Sequence, residues 1–490
     1  MHNGADILFE HTYAGLGEAF ATPCAPTPVA APRLIAFNWD LARQLNITLP
    51  DDPLLLARHF SGNQLFPSAH PCAQKYAGHQ FGSFNPRLGD GRALLLGEVI
   101  DENGARKDVQ LKGAGPTPYS RNGDGRAALG PVLREYLISE AMYHLGVSTT
   151  RALAAVSSGE AVWRQGQLPG AVLTRVASSH IRVGTFEFFY RQGQLEEVKT
   201  LADYVIARHY PQAQTAANPY LALLDGVITA QAELVAHWMQ LGFIHGVMNT
   251  DNTSISGETI DYGPCAFMDK FVFHQCFSSI DMEGRYAYSR QPQIALWNLS
   301  RLAECLLALL DDNQQNAIAK AEASLERFHA TYQNAWLRGW RKKLALDMQS
   351  DDTDARFILD YLQCLRIYGL DFSATNRNLA AAITEALPNT QLSAKPQLSA
   401  WLAQWRERIL ARGLSTQELK AELLAANPAY IPRNYWVEKA IQQAQENGDF
   451  TLFYELLSLL QQPFTEQPGK EIYCNPPPAF VEPYQTFCGT

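Results

Sequence analysis

Gly242-Phe243-Ile244-His245-Gly246-Val247-Met248-Asn249-Thr250-Asp251-Asn252, followed by Ile260-Asp261-Tyr262-Gly263, is the stretch whose reading decides the fold. Its spacing is that of a phosphoryl-transfer loop. A histidine is followed by an asparagine at the seventh position, then by an aspartate set before an aromatic residue and a glycine. In such loops the Asn and the later Asp give oxygens to a metal ion, and a carboxylate two residues after the histidine accepts a proton. Here Val247 holds that place, and valine cannot accept a proton. The pattern predicts nucleotide and metal handling with the usual base removed.

Protein kinases add an upstream strand lysine that pairs with a glutamate on the next helix. Val109-Gln110-Leu111-Lys112 has the form of that strand. Glu135 shares a helical stripe with Ile138 and Met142, while Glu140 shares one with Leu133 and Leu137, so periodicity leaves both open as the partner. Two glycine-bearing turns, Leu88-Gly89-Asp90-Gly91-Arg92 and Asn122-Gly123-Asp124-Gly125-Arg126, are candidates to line a nucleotide site. Each is also an ordinary turn. Arg175 and Arg182 flank Ser178-Ser179-His180 and as a pair could grip a polyphosphate. Asn252 and Asp261 are oxygen ligands of the kind Mg²⁺ takes alongside phosphate and water. Asp251 is the leading carboxylate for a base in place of Val247; the competing reading is that it caps a turn.

The composition narrows the class. A net charge of −9 and a pI near 5.8 argue against a general nucleic-acid binder. No apolar run is read as long enough to span a bilayer, and Met1 to Pro32 holds no Lys or Arg, so the expected address is the cytoplasm. The eight cysteines include no Cys-x-x-Cys and read as plain thiols.

Strands are expected at Ala93 to Ile100, Lys107 to Lys112, Ala171 to Val176 and Arg182 to Tyr190. Helices are expected from Pro131 to Leu145, Leu221 to Leu241 and Ile294 to Leu310, over 315–345 and 354–387, and between Lys395 and Leu460. The fold class is therefore α+β, a β-rich lobe followed by a helical lobe. The expected units are an N-terminal extension at 1–85, the β-rich lobe at 86–200, the helical lobe at 201–390 and a helical extension with a tail at 391–490.

Together these stretches resemble the selenoprotein O family, the YdiU-like protein adenylyltransferases with a two-lobed, protein-kinase-like pseudokinase fold. The resemblance runs along nearly the whole chain. It rests on Tyr76-Ala77-Gly78-His79-Gln80-Phe81-Gly82, Leu88 to Ala93, Leu111-Lys112-Gly113-Ala114-Gly115, Tyr119-Ser120-Arg121, Asp124-Gly125-Arg126 and the 242–263 block. It implies that ATP binds inverted, that AMP passes to a Ser, Thr or Tyr hydroxyl of a protein, and that pyrophosphate leaves. UTP is a possible second donor. By the same resemblance Lys112, held by Glu135, neutralises phosphate, and Arg175 and Arg182 hold the terminal phosphates. Asp251 is the proton acceptor, and Asn252 and Asp261 bind Mg²⁺ or Mn²⁺. Gly89, Gly91, Arg92, Asp124 and Gly125, with Asp261, line the nucleotide. Cys488 stands third from the end, where family members often carry selenocysteine, although this chain has Gly489-Thr490 where relatives more often have two serines. A redox latch between Cys276 and Cys488 is implied, with an ordinary buried Cys276 as the competing reading. A conventional phosphotransferase with its base displaced to Asp251, and a nucleotide-binding scaffold without turnover, stay open as alternatives.

Overall fold

The structure is a computed structural model that describes residues 6–164, 166–349, 353–385, 395–477 and 486. The first part of the chain is built on strands β1 (Ala21–Pro23), β2 (Arg33–Phe37), β3 (Cys72–Gln74), β4 (Gly78–Gln80), β5 (Ser83–Asn85), β6 (Ala93–Ile100), β7 (Arg106–Lys112), β8 (Ala127–Ala128), β9 (Arg151–Trp163) and β10 (Gln167–Ala177). Antiparallel pairing joins them in the order β1-β3-β6-β7-β10-β9-β2, with β8 beside β10 and with β4–β5 as a separate hairpin. Since β1, β2 and β3 lie in this sheet, the stretch set apart as an N-terminal extension is woven into the β-rich part.

Alternation along β7 and β10 fixes what faces where. Val109, Leu111, Val172 and Val176 enter one buried cluster with α1 (Trp39–Gln44) and α2 (Pro53–Phe60). Gln110 and Lys112 take the other face, and the register Arg175↔Gln110 puts Arg175 beside them. Helix α3 (Leu129–His144) lies across that face and carries Glu135.

The remaining chain is helical. Helices α4 (Val183–Tyr190), α5 (Leu195–His209), α6 (Pro219–Leu241), α7 (Gln291–Leu310) and α8 (Gln314–Lys343) share the largest core cluster with α9 (Asp354–Ile367), α10 (Phe372–Ala382), α11 (Pro396–Leu410) and α12 (Thr416–Ala426). Helices α13 (Asn434–Asn447) and α14 (Thr451–Leu460) return to pack on α3. Gly242, at φ +70, ends α6 in a left-handed cap and leads into the loop. Two short strands, β11 (Phe243–Ile244) and β12 (Ala266–Phe267), pair antiparallel and bracket it.

Three expectations are corrected. Arg182 to Tyr190 is helix α4, not strand. Val183, Phe186 and Phe189 recur at helical spacing and are buried, which outweighs the strand preference of its aromatic and β-branched residues. The 354–387 helix is two helices, broken where Gly369 takes φ +56 and Asp371 caps α10. Tyr288–Leu310 is long and apolar enough, by length and composition, to cross a membrane; here it is a core helix, with Leu299, Leu302 and Leu306 buried.

Helix α8 ends on Lys343, which is buried and makes no ion pair among the described residues; burial alone pulls its ammonium down to about 7. An unfolded lysine titrates near ~10.4. Between those values the unfolded chain binds a proton that the fold does not, so stability rises as pH increases through that window. Lys343→Met is expected to raise the thermal midpoint at neutral pH and flatten that rise. Melting curves across pH check this, and an unchanged profile would contradict it.

Candidate functional site

A cleft of about 600 Å³ opens between the sheet and the 245–263 loops. Its walls hold Gly89, Gly91, Arg92, Lys112, Asp124, Gly125, Arg175, Arg182, Asp251, Asn252 and Asp261. Of the predicted catalytic, nucleotide and metal residues, Glu135 alone stands behind the wall. It takes hydrogen bonds from Lys112 Nζ at 2.7 Å and from Arg175 Nε at 2.7 Å. That settles the helix register: Glu140 faces away and receives Arg151 and Asn38.

Lys112 Nζ also donates to Asp261 Oδ1 at 2.9 Å, and Arg175 Nη2 donates to the same oxygen at 2.7 Å. Arg182 lies 3.9 Å from Asp261 Oδ2 and 3.9 Å from Asp90 Oδ1, its guanidinium over the Tyr76 ring. Burial pushes the Asp261 and Glu135 carboxyls up, but Arg175 and Lys112 outweigh it and hold both below the usual carboxylate range. Asp90 is raised by burial, against the pull of Arg182. Lys112 and Arg175 thus pair directly with two firmly ionised carboxylates, and Arg182 stands between Asp261 and Asp90 at the wall of a polar cleft. The buried Nε of Arg182 has no partner among the described residues. That unspent donor suits an added polyanion.

Both glycine turns line the cleft, but the N–H groups of the first are spent on backbone carbonyls. The N–H groups of Gly89, Asp90 and Gly91 donate to Tyr76, Gln74 and Gly89 carbonyls. Gly89, at φ +65, is needed because a Cβ there would meet the Tyr119 ring. Gly125, at φ +66, presses on the Gly115 carbonyl in the same way. Asp124 is clamped by Arg164 at 2.9 and 3.1 Å and accepts from Arg126 N–H, the Asx turn of the bland reading. What these turns give the cleft is shape and fixed charge.

The catalytic-type loop is pinned from behind. His245 Nε2 bonds to the Ile260 carbonyl at 2.8 Å, linking the loop to the segment before Asp261. Gln291 and Asn298 of α7 bond to the His245 N–H and to the Met248 carbonyl. Val247 is buried. Asn252 Nδ2 donates to the Val247 carbonyl at 3.0 Å, and its Oδ1, with no hydrogen-bond partner among the described residues, can meet a cation. Among the described residues no group of three His, Cys, Asp or Glu gathers at one point. A magnesium-type ion completed by phosphate and water needs only one or two protein oxygens, and Asn252 and Asp261 offer them.

Asp251 sits in a short 3₁₀ turn, Thr250–Asn252. Its Oδ2 accepts from Gln80 Nε2 at 3.2 Å, and its buried Oδ1 has no partner among the described residues. Burial pushes the carboxyl up to about 7, against the pull of Arg182. A carboxyl so tuned and so unoccupied can take a proton near neutral pH. Capping the turn does not account for it.

Tyr76, Gln80, Arg164 and Asn249 also line the cleft without having been assigned a role from the residue pattern, and Asp90 and Arg126 do so from within the two glycine turns. Gln80 and Tyr76 lie in the Tyr76–Gly82 stretch, which carries no charge pattern of its own; Asp90 was hidden inside a turn signal. Cys276 is half-buried, its thiol raised to about 11 by burial and Asp281. Cys488 lies outside the described residues. Thr486 docks beside Cys276, donating its N–H to the Phe277 carbonyl at 2.8 Å and accepting from Ser279 N–H at 3.0 Å.

The comparison with known proteins fits this geometry. The model of the family described as protein adenylyltransferase SelO matches residues 5–461. Proteins named protein nucleotidyltransferase YdiU from Agrobacterium fabrum and Rhodopseudomonas palustris are 53% and 54% identical to this chain. The first match covers 99% of this chain and 100% of that protein, the second 98% and 99%. Another of that name, from Rhizobium meliloti, is 52% identical over 98% of this chain and 99% of its own length. With similarity of this degree along its whole length, the chain belongs to the SelO family and is an enzyme of the nucleotidyltransferase class.

Proposed function

We propose that the enzyme transfers AMP from ATP to Ser, Thr or Tyr hydroxyls of proteins and releases pyrophosphate, in a two-lobed, kinase-like frame. The observation that carries this reading is Asp251: a buried carboxyl, one oxygen of which has no partner among the described residues, lines the cleft, while Val247 fills the place of the kinase base. The acceptor hydroxyl attacks the α-phosphorus and its proton goes to the Asp251 carboxylate. The bond from the α-phosphorus to the oxygen bridging to the β-phosphate breaks, and that oxygen leaves on pyrophosphate. Lys112, Arg175 and Arg182 offset the charge on the leaving group, with Glu135 holding Lys112 and Arg175 in place. Asn252 and Asp261 would hold Mg²⁺ or Mn²⁺, which when bound neutralises phosphate charge. UTP fits the same phosphate-facing groups, so UMP transfer is the parallel activity to test. The Thr486 contacts beside Cys276 support the Cys276–Cys488 latch as a regulatory proposal. Non-reducing peptide mapping that finds both thiols free under oxidising conditions would remove it.

Mass spectrometry of an acceptor protein incubated with enzyme, ATP and Mg²⁺ tests the transfer. An adenylyl adduct on a hydroxyl residue is expected, and a phosphoryl adduct would instead make the enzyme an ordinary phosphotransferase. Chelation of the divalent ion by EDTA is expected to abolish the adduct, and re-addition of Mg²⁺ or Mn²⁺ to restore it; full activity in EDTA would remove Asn252 and Asp261 as metal ligands.

A further inference from the structure

The Tyr76–Gly82 stretch has no role in the chemistry above, yet it touches the loop at three successive residues. Phe81 N–H donates to Asn249 Oδ1 at 3.2 Å, His79 N–H donates to Thr250 Oγ1 at 2.7 Å, and Gln80 Nε2 donates to Asp251 Oδ2 at 3.2 Å. The contact is close. A Cβ on Gly78 would fall 2.6 Å from Asp251 Oδ1, so only glycine lets the strand lie there. Gly184, at the start of α4, is pressed as closely on the Ala77 carbonyl, and Ala77 N–H donates to the Gly184 carbonyl at 2.9 Å.

One carboxylate ties these pieces together. Glu187, on the helix that begins just after Arg182, accepts from Thr250 Oγ1 through Oε2 and meets His79 Nδ1 through Oε1. Glu187, His79 and Thr250 are all buried, at 2%, 6% and 0% exposure. None of the three lines the cleft. A carboxylate taken this far from water is retained at a cost unless both its oxygens are used. Here both are spent on holding β4 and the 249–252 loop to α4.

We infer that Glu187, Thr250 and His79 form a splint that sets the position of Asp251, with Thr250 and Glu187 acting as positioning residues that never touch the nucleotide. The inference rests on the reading of Asp251 as base. Removing one hydroxyl from the splint frees the loop to shift while leaving every cleft-lining residue unsubstituted. A misplacement on the order of 1 Å at a reacting group can cost about 10²-fold in rate.

The test compares Thr250→Val, which keeps the shape and loses the hydroxyl, with Thr250→Ser, which keeps it, and with Asp251→Ala as the floor. The expected result is a fall of about 10²-fold in kcat for AMP transfer in Thr250→Val. KM for ATP and the thermal midpoint should stay near the parent values, and Thr250→Ser should recover the rate. Amide hydrogen exchange should rise at His79 and across 249–252 and nowhere else. An unchanged kcat in Thr250→Val would overturn the splint. So would a joint loss of rate, ATP affinity and melting temperature that serine does not repair. If Asp251→Ala keeps full activity, the base reading has failed. The exchange data then decide alone: a His79 amide as protected in Thr250→Val as in the parent overturns the splint.

Discussion

Asp251→Asn is expected to lower AMP transfer by about 10²- to 10⁴-fold while ATP still binds. Asparagine has the size of aspartate and can keep the Gln80 contact at 3.2 Å, so the loop has no reason to move. What disappears is the capacity of the side chain to take a proton. Burial already discourages the charged form, and Arg182 opposes that tendency; the balance near 7 is what a base at neutral pH requires. Single-turnover assays with α-labelled ATP give the rate, and calorimetry gives the affinity. Full activity in this variant would remove Asp251 from the chemistry.

Asp261→Asn is expected to be as damaging for another reason. The carboxylate is the shared partner of Lys112 and Arg175, at 2.9 and 2.7 Å, and it faces Arg182. It holds those cations together, and it would also serve as a ligand to Mg²⁺ or Mn²⁺, whose charge would offset that of the phosphates. Asparagine does neither well, since its oxygen is neutral and a hard cation prefers a carboxylate. The prediction has two parts. Metal-dependent transfer should fall by about 10²-fold or more. Metal-free ATP binding should not weaken, because the variant leaves more uncompensated positive charge facing the phosphates. Titrations with and without Mg²⁺ separate these, and equal loss of ATP affinity in both conditions would contradict the account.

Much of the site was legible because it is spelled by short-range spacing. The step from His245 to Asn252 and the Asp261-Tyr262-Gly263 triplet are local, and the structure brings them to one cleft with Lys112. The choice between Glu135 and Glu140 was not legible. Both sit on buried faces of one helix, and only the sheet decides that Lys112 meets one and Arg151 the other. The fate of Arg175 and Arg182 was half legible: they reach the cleft as a pair, but the ion pairs of Arg175 with Glu135 and Asp261 come from strand register. Arg182 to Tyr190 was misread because Phe186, Phe188 and Phe189 look like strand residues until the partner surface is known. The glycine turns were read as lining a nucleotide site or as ordinary turns, but neighbours such as Tyr119 and Gly115, remote from any local pattern, set their need for glycine. The hairpin contact to Asn249, Thr250 and Asp251 joins positions about 170 residues apart, beyond the reach of periodicity.

The most direct test of the central claim is a paired label assay: enzyme, Mg²⁺ and an acceptor protein are incubated with ATP labelled at the α- or at the γ-phosphate, with Asp251→Asn and Asp261→Asn alongside. Label on protein from α-labelled ATP alone, lost in both variants, is the predicted result. Label from γ-labelled ATP alone would mean that the terminal phosphate meets the acceptor and would contradict nucleotidyl transfer at this site.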